Sequence, residues 1–145
     1  MRRLEIFMET SSAQLLPAIP LIQLLSTVFF AILFLQSGLD KVFDWKGNRE
    51  YHTAQFAGTP LEKPSIFFLF VLAVLEVACG FTCLAGAAAL IFRQDKTIAF
   101  YGVLLASVIF CCLFAGQRIA KDYAGAVSIV SYFILSLLAL FSFEF

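Results

Sequence analysis

PSIFFLFVLAVLEVACGFTCLAGAAALIF, residues 64–92, carries a single charge, Glu76, in a run otherwise made of apolar residues and a few small polar groups. At 1.5 Å of rise per residue, a helix of this length crosses a hydrocarbon core of about 30 Å. The Glu76 carboxyl would then lie roughly at mid-depth, where an ionisable group costs about 2.5–3.5 kcal/mol on the insertion scale. Such a carboxylate must be neutralised by a proton or by a partner.

The rest of the chain is built in the same way. Of 145 residues, 61% are hydrophobic and 14% charged, where a soluble domain has about 45–50% and about 25%. Three further charge-free runs, Thr10–Leu39, Thr97–Gln117 and Tyr123–Phe143, are each long enough to span a bilayer. The chain therefore reads as an all-α membrane protein, one domain over residues 1–145, with spans at about 18–42, 64–92, 97–117 and 123–143. Arg93–Lys96 and Arg118–Asp122 are short connectors, which makes successive spans antiparallel neighbours in an up-down four-helix bundle.

Pro17 and Pro20 suit the first turn of the first span, where the missing amide hydrogen is not needed. Asp44–Asn48 interrupts that span, with Trp45 as an interfacial anchor. Residues 48–58 are polar and predict an interfacial loop or short amphipathic helix, with Tyr51, Ala54, Gln55 and Phe56 near one face and Gly58–Thr59–Pro60 closing it. Met1–Glu9 suits a short interfacial segment. Arg2 and Arg3 before an apolar run resemble the start of a signal peptide, but the run is too long and lacks a small-x-small cleavage site, so it is expected to be retained. No lipidation motif is evident. A formal net charge of zero argues against nucleic acid or polybasic lipid recognition.

Two features bear on internal symmetry and orientation. Leu33–Phe34 followed by Lys41 recurs as Leu113–Phe114 followed by Lys121, the pattern of a weak parallel repeat. The loop end of the bundle carries six cations, Lys41, Lys46, Arg49, Lys63, Arg118 and Lys121, against Arg2, Arg3, Arg93 and Lys96 at the other end. If Lys41, Arg118 and Lys121 turn inward, the balance tips and both termini are cytoplasmic.

Helix polarity gathers Gln36, Asp40, Lys41, Arg118, Lys121 and Tyr123 at one end of the bundle, with Glu76 two or three turns into the second span. Lys41 or Arg118 has the reach to meet Glu76. That constellation suits a buried ion pair clamping two helices, or a polar pocket for a headgroup, a quinone or a proton. Small residues around Glu76, including Ala73, Ala78, Cys79, Gly80, Ala85 and Gly86, allow close helix approach. Cys79, Cys83, Cys111 and Cys112 lie within apolar spans rather than in a C-x-x-C pair at a helix start, so they read as small buried hydrophobes. His52, the single histidine, reads as a solvated loop residue, and no cluster has metal-ligand spacing.

Leu35–Gln36–Ser37–Gly38–Leu39–Asp40–Lys41, then Phe56–Ala57–Gly58–Thr59–Pro60, then Glu76 with Gly80 and Gly86, and finally Arg118–Ile119–Ala120–Lys121–Asp122–Tyr123–Ala124, resemble the DoxX family of small four-span bacterial membrane proteins, including its MauE-like branch. The resemblance covers roughly residues 24–143 and matches at Gly38, Lys41, Glu76, Gly80, Arg118 and Lys121. Cys79 departs from it, standing where a second glycine is expected. The resemblance implies a multi-pass protein of the bacterial inner membrane, linked in some members to thiosulfate:quinone oxidoreduction, methylamine dehydrogenase maturation or oxidative-stress complexes. The expectation is a non-catalytic subunit of a redox-linked or envelope complex, in contact with lipid and other membrane subunits, with a lipid or quinone as possible ligand. A quinone-coupled oxidoreductase using Lys41, Glu76 and Arg118 is the alternative, and a small proton-coupled transporter using Glu76 is a third.

Overall fold

The computed structural model describes residues 1–15 and 17–145, and of residues 12–15 the backbone only. Every regular element among them is a helix: α1 (Arg2–Leu15), α2 (Ala18–Phe43), α3 (Trp45–Gln55), α4 (Ser65–Arg93), α5 (Thr97–Ile119) and α6 (Tyr123–Ser142). Four of these, α2, α4, α5 and α6, are long and apolar enough to cross a membrane. They form a ring in which α2 packs on α4, α4 on α5, α5 on α6, and α6 back on α2. The expected four-helix bundle is present.

The corners follow from local chemistry. Asp44 ends α2 by donating its N–H to the Asp40 carbonyl at 2.8 Å, and its carboxylate accepts from the Gly47 N–H at 3.2 Å to begin α3. The residues expected to break the first span therefore start a second helix. Gln94 takes a left-handed backbone at φ 53° to end α4, and the Asp95 carboxylate accepts from the Thr97 N–H at 2.9 Å at the head of α5. That bond holds the exposed Asp95 carboxyl below the usual carboxylate range. The α5–α6 turn likewise uses a left-handed Lys121 and an Asp122 carboxylate that caps α6.

Phe30, Phe34 and Phe110 fill the centre, with Phe34 and Phe110 ring centroids 5.1 Å apart. Tyr132 of α6 stacks on Phe110. Along the seams the backbones nearly touch. A Cβ on Gly38 would stand 2.8 Å from the Val77 nitrogen, one on Gly80 2.7 Å from the Leu35 nitrogen, and one on Gly86 2.6 Å from the Ala99 Cα. Gly102, which the sequence reading does not single out, makes the same close approach to Cys83. Cys79 and Cys83 are fully buried at the α4–α5 seam, and Cys79 Sγ lies 3.5 Å from the Gly102 carbonyl. The Cys79 side chain is thus turned toward α5. Ala78, Ala85, Cys111 and Cys112 face outward instead, so neither those alanines nor those two cysteines are core groups.

Register fixes the level of Glu76 against α2. Gly38 faces Val77, Leu35 faces Gly80 and the Trp45 ring meets Phe70, so the two helices run past each other in step. Glu76 is therefore level with Leu39, next to exposed Asp40. α2 ends at Phe43, opposite Leu72, while Ser65–Val71 of α4 continues past it beside α3. Glu76 sits about 6 Å, one helical turn, from the end of α2.

The suspected repeat does not survive in three dimensions. Phe34 is 1% exposed and Phe114 39%, while Lys41 is helical and turned inward and Lys121 stands exposed in a turn. Arg118 is exposed as well. Only Lys41 is withdrawn from the charge count, which becomes five cations at the loop end against four at the other.

Candidate functional site

Ser37 and Lys41 are one turn apart on α2 and point to the same side, toward α4. Lys41 Nζ lies 2.8 Å from Glu76 Oε2 and donates to Ser37 Oγ at 2.9 Å and to the Ser37 carbonyl at 3.3 Å. Ser37 Oγ in turn donates to Glu76 Oε2 at 3.0 Å. The three donors of the ammonium thus meet three acceptors, and the hydroxyl both accepts and donates. The Glu76 side chain is 2% exposed and that of Lys41 12%, which keeps the triad in a low-dielectric setting with one edge toward the loop end. The close packing at Gly38 makes this contact possible, because it brings the α2 backbone onto Val77 and Glu76.

Of the candidate residues, the structure brings only Lys41 to Glu76. Gln36 faces outward. Asp40 is exposed and its carboxylate accepts from Asn48 Nδ2 at 3.4 Å. The Arg118 guanidinium lies over the exposed Tyr123 ring, 4.7 Å from its centroid. The physical reason is register: the Gly86–Ala99 and Gly102–Cys83 contacts set buried Ile109 opposite Glu76 on α5. Arg118 comes about 13 Å further along. Lys121 lines a separate surface cleft of about 440 Å³ with Tyr51, Ala54, Gln55, Ala120 and Asp122. Gly38, Gly80 and Gly86 stand at helix contacts.

Ser37 is the site residue that sequence reading missed. It lies inside the family-like motif, and its place four residues before Lys41 was the available signal.

α3 covers the loop end. Gln55 Nε2 donates to Gln117 Oε1 at 3.0 Å, and buried Phe56 packs near Gly116. His52 is not a solvated loop residue. It is half-buried, 5.7 Å from the Phe56 ring, and its Nδ1 is buried with no hydrogen-bond partner among the described residues. Burial, and secondarily the Lys41 charge, hold its pKa below 6.5. Released histidine binds a proton more readily than docked histidine, so docking strength is complete above pH 6.5 and declines as the pH falls below it. Fluorescence of Trp45, the one tryptophan, is expected to report α3 loosening on acidification, and His52→Gln is expected to flatten that profile.

Comparison with family models, with curated proteins and with solved structures gives no match to this chain.

Proposed function

We propose that this chain is a non-catalytic DoxX-like membrane subunit of a redox-linked or envelope complex in a bacterial inner membrane, with the Ser37–Lys41–Glu76 triad fastening α2 to α4. One observation supports a clamp over a reactive centre: the Lys41 ammonium has all three donors matched inside the protein, with Glu76 among the acceptors. The oxidoreductase reading needs Arg118 at the same centre, and Arg118 is occupied with Tyr123.

Purification in mild detergent tests this reading. Other membrane subunits are expected to co-purify equally with the wild type and with a Lys41→Met/Glu76→Leu double variant. A double variant that folds but loses a quinone or lipid carried by the wild type would sink the clamp and point to a ligand site. With the two ends nearly equal in charge, orientation is best read directly. A fluorescent-protein fusion after Phe145 lights up with the termini in the cytoplasm and stays dark with the loop end there, the side that the count of five cations to four favours.

A further inference from the structure

The outward face of α2 carries its own pattern. Leu25, Phe29, Ile32, Gln36, Leu39 and Phe43 alternate at spacings of four and three, the a/d repeat of a left-handed helix pair. All are exposed except half-buried Leu39, and they lie opposite the buried stripe through Thr27, Phe30, Phe34 and Gly38. Gln36 is the one polar residue in the series. It has no hydrogen-bond partner among the described residues, and it lies about 6 Å deeper than Asp40, inside the apolar layer. Hydrocarbon offers its carboxamide neither donor nor acceptor.

We infer that α2 is the contact of a parallel homodimer in which Gln36 pairs with Gln36 of a second copy. Copies inserted in one membrane share an orientation, so a symmetric pair has its two-fold axis along the membrane normal. Two α2 helices then run parallel, with identical residues at identical depth. A carboxamide has both donors and an acceptor, which makes it complementary to itself. A single polar residue at an a position is also a known device for setting register and strand number. The neighbouring Asp40 lies to one side of this face, where its carboxylate accepts from Asn48 of its own chain.

The test uses the full chain with a fluorescent protein after Phe145, reconstituted into phosphatidylcholine vesicles and counted by single-molecule photobleaching across a lipid dilution series. The wild type is expected to bleach in two steps when concentrated and in one when diluted. Gln36→Leu is expected to weaken the dimer about tenfold, while Gln36→Asn retains it. In a Cys111→Ser/Cys112→Ser background, Ile32→Cys is expected to cross-link copy to copy and Leu104→Cys, on the outward face of α5, is not. The inference is overturned by one-step bleaching at every dilution, by a Gln36→Leu dimer as tight as the wild type, by cross-linking through Leu104→Cys, or by a different protein occupying α2.

Discussion

Lys41→Met is expected to destabilise the bundle by about 3–5 kcal/mol, the cost of leaving a buried ion without its partner. The asymmetry of the pair makes this the more damaging of its two single changes. Glu76 is 1% exposed and cannot turn to water, so its carboxylate must either remain charged beside Ser37 or take up a proton. Lys41 has an edge open toward the loop end. In Glu76→Gln its flexible stem can carry the ammonium outward, so that change is expected to cost only about 1–3 kcal/mol, while the amide oxygen still accepts from Ser37. Lys41→Met/Glu76→Leu removes both charges and is expected to return to within about 1 kcal/mol of the wild type. Ser37 can then bond back to its own helix, as Ser26 and Thr27 already do. Unfolding in a denaturing-detergent titration, followed by helical circular dichroism, measures all three. A loss in the double variant equal to the sum of the two single losses would mean that the two charges act separately.

Gly80→Ala is expected to cost about 2–3 kcal/mol, near the top of the range for overpacking. Its new methyl would meet the Leu35 backbone nitrogen at 2.7 Å, and a backbone cannot swing aside as a side-chain tip can. The helices must separate, which also lengthens the contact between Lys41 and Glu76. Gly116→Ala is the matched control on a helix. There the nearest atom is the Phe56 ring at 3.7 Å, ordinary contact, so the change is expected to be neutral or to stabilise by about 0.5–1 kcal/mol through helix propensity. The same unfolding titration separates the two, and similar losses at both sites would rule out the close crossing as the cause.

The four spans were legible because charge-free runs of that length have few other uses, and Lys41 was legible as a partner for Glu76 because helix polarity sends both to the loop end. The level of Glu76 on its neighbours was not: Ser65–Val71 of α4 continues beyond α2 to cover α3, so Glu76 lies one turn from the end of α2 yet opposite the middle of α5. Facing was also hidden, since in lipid the outer side of a helix is as apolar as the inner side. Gln36 and Arg118 were therefore grouped with Glu76 although one points outward and the other lies too far along α5. Gly102 went unnoticed because a glycine in an apolar run looks alike whether it touches a neighbouring helix or not.

Small residues recur on the buried face of α4 at Ala73, Gly80 and Ala87, seven positions apart. To a sliding helix such a surface offers other resting places two turns away, each looser than the native one because Ala73 or Ala87 would bring to Leu35 the methyl that Gly80 lacks. Glu76 marks just one of them, since Lys41 and Ser37 meet a carboxylate of α4 in no other alignment. The ion pair works as an address more than as an adhesive, and a bundle that lost it could stay folded while α2 came to rest in the wrong place.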